Sequence, residues 1–341
     1  MASLPVPLPP HSKIALLICD PTDKQFIESY GNITNLFTGL YTKLLIRLTG
    51  GAPIPDLKSV RDDAVLPEVM KSFRVDPYHA IDGHLPTNVD AYDSVIVSGS
   101  AHGVNDGDKW ILALAKFLHD TATLHPKVKL IGICFGHQII SHAVFGLPVK
   151  PNPQGWEVGP YDVHLTDTGK VLFPGKDPLI IEMFHHDAVF TSNQVAAMAA
   201  MCKATPYEAP GKVVNGQKQG EIKIWGHSEK TQNQGIVSVT RDIHDRLNVD
   251  DIHIFTCQGH PEITQGMTAT LLDLFEHEID KETVLEARAR IAAFKGVLDW
   301  YQISLLMWAL STKHSYVFST ALPFNTSDDG AKSKENVFVL V

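Results

Sequence analysis

Three apolar runs, each broken off by small or polar residues, constrain this chain more than anything else in it: KIALLICD (13–20), YDSVIVSGS (92–100) and KVKLIGIC (127–134). A strand with one wet face alternates apolar and polar residues. A strand that is apolar throughout has no wet face and belongs inside a sheet covered on both sides. Between the second and third runs, WILALAKFLHDTATL (110–124) repeats its apolar residues at helical spacing, and FGHQIISHAVFG follows the third. Strand, helix, strand and helix in alternation predict a three-layer α/β fold, a mostly parallel central sheet with helices on both faces. Ligands of such sheets collect beyond the carboxyl ends of the strands, where Asp20, Gly99, Ser100 and Cys134 fall.

The rest of the chain reads differently. The proline-rich residues 1–12 predict a disordered lead-in. After Gly155, shorter segments (WEVGPYDVHLT, LIIEMFHHDAVF, AMAAMCKA, IKIWGHS, IHIFTCQGH) broken by Gly, Pro and Asn predict strands with antiparallel pairing at one edge. Residues 265–310 predict amphipathic helices, with LLDLF and VLEARARIAAF carrying the stripes. The tail from Ser315 predicts loop, flexible over 325–336. No repeat or linker divides the chain, so the expected organisation is a lead-in (1–12), one domain (13–280), and C-terminal helices with a tail (281–341).

Composition narrows the function. The net charge is −9, which argues against a sequence-independent grip on nucleic acid or on an anionic membrane. Four cysteines (Cys19, Cys134, Cys202, Cys257) are too few for a disulfide scaffold and predict a reducing, cytoplasmic setting; no secretory signal is visible at the start. The most apolar stretch, 297–310, is interrupted by Asp299 and Gln302 and is too short to span a membrane.

The chemistry is densest in LIGICFGHQII (130–140). A strand turning sharply into a helix holds the side chain between them above the sheet edge, as nucleophile elbows do. Gly132 and Gly136 flank Cys134 and let the backbone take strained dihedrals and let helix and strand approach closely. A cysteine at a helix N-terminus meets unpaired N–H groups that favour an anion, which can bring a thiol from about 8.5 into a range of roughly 3.5–7.5. The Phe135 N–H then points where an oxyanion would form, and the Gly99-Ser100 turn offers a second donor. The bland reading is a small buried hydrophobe, which suits Cys19 and Cys202, neither of which has such a frame.

A thiolate attacking an acyl carbon needs a partner that protonates the leaving group and later activates water. Of 17 histidines, His260 stands out: a strand leads into Gln258-Gly259, and Pro261 stiffens the link to Glu262, which can accept the imidazole Nδ1–H. A competing reading is zinc, because Cys134–His137 and Cys257–His260 are both C-x-x-H pairs. Against it, both pairs follow apolar strands rather than short loops.

GICFGHQ (132–138) together with QGHPE (258–262) resembles the class I glutamine amidotransferase family. The agreement continues through YGN…LF (30–37), VSGSAHGVND (97–106), GWEVG (155–159), LT..G (165–169), His185-His186-Asp187 and SEKTQNQG (228–235), in order over residues 13–265, and is greatest with stand-alone fungal-type amidotransferase-like proteins. The resemblance implies a flavodoxin-like fold, a triad of Cys134 as nucleophile, His260 as acid/base and Glu262 as its orienter, an oxyanion hole from the backbone of Gly99 or Ser100 and of Phe135, and Gln138 near the substrate amide. It implies a γ-glutamyl thioester freed by water, with no metal and no organic cofactor. His185, His186 and Asp187 either line the pocket or are polar groups on a strand edge. Two features depart from the pattern. Ile263 stands where an aromatic commonly follows His-Pro-Glu, and the segment after 280 has no counterpart in a minimal domain.

The expected function is amide cleavage with a small-molecule amide or acyl substrate. Ammonia is normally channelled, and no P-loop pattern is present, so either a separate synthetase or pathway enzyme accepts it, or the pocket serves another substrate in specialised (secondary) metabolism. A non-catalytic binding module on the same fold is the alternative class. LDWYQISLLMWAL (298–310) needs covering, either by the body of the protein or by a second copy in a homo-oligomer.

Overall fold

In the computed structural model, residues 11–49, 72–191, 221–240, 248–312, 316–319 and 337–340 are described. The three apolar runs become β1 (Ser12–Ile18), β3 (Ser94–Val97) and β4 (Lys129–Ile133), joined by β2 (Phe73–His79). The strand of the His-Pro-Glu segment is β12 (Ile252–Cys257), and β11 (Ile236–Val239) and β9 (Glu221–Ile224) complete a seven-stranded sheet in the order β2-β1-β3-β4-β12-β11-β9. The first five are parallel; β11 and β9 add antiparallel at the edge. The parallel part therefore runs second, first, third, fourth, fifth, the flavodoxin-like order, whose ligand crevice opens between β1 and β3 where the winding reverses.

Period-two alternation along each strand builds two cores. Ile14, Leu16, Ile96, Ile131, Ile133 and Phe255 face one side; Ala15, Leu17, Val95, Val97, Leu130 and Ile254 face the other. The second side is covered by α3 (Lys109–Leu124) and α4 (Phe135–Phe145). On the first side lie α2 (Ile33–Thr49), which follows the short α1 (Lys24–Tyr30), and a small antiparallel sheet of β6 (Glu157–Leu165), β7 (Leu179–His185) and β10 (Gly226–His227). The short α5 (Asp167–Leu172) links β6 to β7, while β5 (Val149–Pro151) pairs with β8 (Asp187–Val189). Then come α6 (Gln265–Phe275), α7 (Lys281–Ala293) and α8 (Trp300–Thr312).

Several expectations change. The first strand begins at Ser12, inside the stretch read as lead-in, because Ser12 is buried and registers with Phe73. FRVDPYH carries no apolar run yet forms β2; it lies on the sheet edge, the position in a sheet where a proline such as Pro77 is tolerated. The segments WEVGPYDVHLT and LIIEMFHHDAVF leave the central sheet for the smaller one, and IHIFTCQGH pairs parallel to β4. The tail read as loop contains an antiparallel pair, β13 (Tyr316–Ser319) with β14 (Val337–Leu340). The flexible section 325–336, the strand expected at 197–204 with Cys202, and residues 1–10 lie outside the described residues.

The apolar stretch near the C-terminus is covered by its own chain. From Ile303 to Thr312 every residue of α8 is buried, so the helix is not amphipathic. Trp308 packs edge-on to Tyr41 (5.3 Å) and Phe73 (5.5 Å), and Ser311 meets the Tyr41 hydroxyl and Ser94. Asp299, which broke the apolar run in the sequence, anchors the helix entry: its N–H donates to the Ile180 carbonyl, its carboxylate accepts from the Ile180 N–H (2.9 Å) and pairs with Lys176 (3.0 Å). This covering removes the reason to place a second copy there. No helix among the described residues is long and apolar enough to cross a membrane.

Candidate active site

Cys134 is the N-cap of α4 and carries φ 52° and ψ −107°, a backbone shape that L-residues avoid. The strain sits on the cysteine alone: neither Gly132 nor Gly136 has positive φ, contrary to one of the two roles expected of them. Their other role holds. A Cβ on Gly132 would stand 2.4 Å from the Gly136 carbonyl oxygen, and one on Gly136 would stand 2.3 Å from that of Val97. Only bare backbone lets α4 start this close to the sheet.

His260 follows β12, and its backbone N–H donates to the Glu182 carbonyl (2.8 Å). Its Nδ1 lies 2.8 Å from Glu262 Oε1, with both side chains buried. Burial works against a charged imidazole, but Glu262 and Cys134 outweigh it and hold His260 well above the usual histidine range. The ring and the cysteine meet beside Gly99, whose absent side chain makes the room: a Cβ there would lie 3.0 Å from His260 Cε1 and 3.6 Å from Cys134 Cβ. Three side chains from two distant segments are thus brought together, in the order thiol, imidazole, carboxylate.

The other expected residues fall around them. Phe135 is fully buried at the first position of α4, where backbone N–H groups have no intrahelical acceptor. The Ser100 hydroxyl is committed to the Cys19 carbonyl (2.7 Å), and Asp20 receives the Ala101 N–H (2.9 Å), so β1 and the loop after β3 hold each other in shape. Gln138 donates to the Asp187 carbonyl (3.0 Å) and to Gln258 Oε1 (3.2 Å). His185 lines the cavity, but its Nδ1 faces the Asp187 carbonyl (3.0 Å) and its Nε2 lies 2.9 Å from Glu157 Oε2. Burial pushes the Glu157 carboxyl up, yet His185, Ser228 and Thr231 overcome this and hold it at about 2. His186 stacks on Trp156 at 5.2 Å.

The two C-x-x-H pairs do not converge as a ligand set. His137 turns its Nδ1 to the Thr256 hydroxyl (2.7 Å), and burial drives its pKa down to about 3, with His185 adding to the effect. Cys257 is fully buried, which raises its thiol far above the ordinary range. Among the described residues, the one cluster with ligand spacing is His102, Asp106 and Asp108.

The site opens into a cavity of about 400 Å³ at the carboxyl ends of β1, β3 and β4. Asp20, Gly99, Ser100, Cys134, Gln138, His185, His260 and Glu262 all line it. So do residues the sequence did not single out as binding groups: Phe26, Leu36 and Phe37 from α1 and α2, Leu271 and Phe275 from α6, and Trp156 and Phe184. Trp156 lay in the GWEVG motif and Leu36 and Phe37 in the YGN…LF stretch, but Phe26, Leu271 and Phe275 carried no local signal, since a core residue and a pocket wall look alike in sequence. No lysine or arginine lines the cavity among the described residues.

A family model, glutamine amidotransferase class-I, matches residues 68–277. The chain belongs to this family. Among curated relatives, it is 37% identical to a glutamine amidotransferase-like protein of Schizosaccharomyces pombe over 28% of this chain and 38% of that one. It is 35% identical to the glutamine amidotransferase-like protein chyE of Penicillium rubens, over 53% of this chain and 60% of that one. Gamma-glutamyl peptidase 2 of Arabidopsis thaliana is 24% identical over 64% of this chain and 75% of that one. The chain spans less than two thirds of the length of the first relatives it matches. In fold it is similar to a glutamine amidotransferase of Thermotoga maritima, with a TM-score of 0.51 and 15% identity over 89% of this chain and 96% of that one.

Proposed function

We propose that this protein cleaves a γ-glutamyl or related amide through a cysteine thioester. The observation that carries the reading is the His260–Glu262 contact (2.8 Å) beside a cysteine held on a strained elbow. The Cys134 thiolate adds to the amide carbonyl, and the oxyanion is met by backbone N–H groups of the Phe135 and Gly99 region. His260, charged as its pair with Glu262 favours, protonates the leaving amine as the C–N bond breaks. Water then adds to the thioester, its proton passes to His260, and the C–S bond breaks to return the thiolate and an acid. No metal or organic cofactor enters these steps.

The cavity wall supports a substrate other than free glutamine. Aromatic and aliphatic side chains from α1, α2, α6, Trp156 and Phe184 face one space, and acidic groups (Asp20, Asp23, Asp106, Asp187, Glu278) line it with no lysine or arginine among the described residues to offset them. Such a wall suits an amide with an uncharged apolar group beside the scissile bond, as in specialised metabolism. With glutamine as substrate, a separate enzyme would take the ammonia.

Turnover and intact mass test both parts. The parent protein is expected to accumulate an acyl adduct on Cys134 and to turn over a γ-glutamyl aryl amide with higher kcat/KM than glutamine. Cys134→Ala is expected to lose both adduct and turnover, by a factor on the order of 10⁴ or more. Unchanged turnover in that variant would reject the mechanism. Glutamine as the better substrate would reject only the apolar preference.

A further inference from the structure

Gln258 is completely buried two residues before His260 and makes two contacts that fix which end of its amide faces which neighbour. Gln138 Nε2 donates to the Asp187 carbonyl (3.0 Å) and to Gln258 Oε1 (3.2 Å). The Asp187 carbonyl can only accept, so the end of Gln138 that meets it is the NH₂ group, and the end of Gln258 that meets this NH₂ group is the oxygen. The Gln258 Nε2 is thereby turned towards Cys134 Sγ, at 3.6 Å. A backbone carbonyl two hydrogen bonds from the Gln258 amide, and not the sulfur, sets its orientation.

We propose that Gln258 is a further catalytic residue, whose amide N–H donates to the Cys134 sulfur and stabilises it as a thiolate. The assignment rests on Cys134 being the nucleophile. A donor to the charged form favours that form, and inside a protein it does so more strongly than in water. The thiol form has its own partner, the Phe184 carbonyl (3.8 Å from Sγ), so the two neighbours pull the sulfur in opposite directions. An amide does not titrate, so its pull is the same at every pH. It acts twice in the cycle. Before attack it holds the anion; during thioester hydrolysis, as the water oxygen bonds to the acyl carbon, the C–S electron pair returns to the sulfur facing this N–H.

Alkylation of the full chain by iodoacetamide, followed by intact mass from pH 5 to 10, reads the thiolate directly and needs no substrate. Gln258→Met is expected to move the midpoint of the Cys134 rate up by about one pH unit, which lowers the rate by up to roughly tenfold at pH values below both midpoints, with the plateau at high pH unchanged. Gln258→Glu, which presents an acceptor and a charge, is expected to move it further. The titratable groups around the sulfur stay in place in each variant: His260 and Glu262 after β12, Cys257 within it, His185 and Asp187 at the junction of β7 and β8, and Asp20 after β1. A midpoint equal to the parent's, or a fall that is uniform across pH, overturns the proposal. Should the Gln258 variants not fold, Gln138→Leu releases the same amide and is expected to shift the midpoint in the same direction; an unmoved midpoint overturns it there too. A parent protein whose Cys134 resists alkylation at every pH would instead remove the nucleophile on which the proposal rests.

Discussion

At Glu182 the fold puts a carboxyl group where water barely reaches: the residue is 1% exposed, on β7, with its own carbonyl bound to the His260 N–H. Burial raises its pKa to about 7, against the pull of Thr268 and His260. Its folded value therefore lies above its unfolded value. The stability it lends is complete below the unfolded pKa, near 4.5, and is lost as pH rises to about 7. Glu182→Gln is accordingly expected to gain on the parent between pH 4.5 and pH 8 by about 3 kcal/mol, measured from urea midpoints at the two pH values. A constant difference would show that the carboxyl is not proton-bound in the folded state. The same neighbourhood shows how far single residues can be read in a sequence. Cys134 and the His-Pro-Glu run were legible because their chemistry is local to a few positions. Glu182 was not, because nothing in LIIEMFHHD says which of its polar residues the fold will bury.

Elements impose a second kind of constraint, seen where α4 leaves the sheet. The pattern Gly-x-Cys-x-Gly signalled a tight strand-to-helix turn, and the close approach follows from backbone contacts at both glycines. Which residue bears the unusual dihedral was not legible, since any of the three could absorb the turn; the structure gives it to Cys134. Gly136→Ala would drive a methyl group into the Val97 carbonyl, a backbone atom that cannot swing aside. The expected result is a loss of about 3 kcal/mol or more in unfolding free energy, with slower Cys134 alkylation as the elbow shifts. Stability and alkylation equal to the parent's would mean that α4 can retreat without disturbing the site. β2 shows the converse. Its edge position tolerates Pro77 and polar residues, so the pattern that reveals buried strands could not reveal this one.

Across the whole molecule, the helix α8 ties the end of the chain to its beginning. Trp308 is fully buried in an aromatic group with Tyr41 and Phe73, joining residues more than two hundred positions apart. Trp308→Ala is expected to cost roughly 3–5 kcal/mol, read as a lower urea midpoint, because the vacated volume is walled by α2 and β2, which are held by the sheet. A loss under about 1 kcal/mol would mean that α8 is not docked on the body in solution. From the sequence alone, period and run length determined the layered sheet, since a strand apolar at every position can only be covered on both faces, and local motifs determined which residues carry reactive groups. Tertiary structure decided the rest. It brought His260 and Glu262 to Cys134 across 126 positions of chain, turned the Gln258 amide towards the sulfur, walled the cavity with side chains that would pass for core, and buried 303–310 in the protein's own body. Those outcomes depend on distances between segments far apart in sequence, and such distances are set only when the sheet closes and its two faces fill.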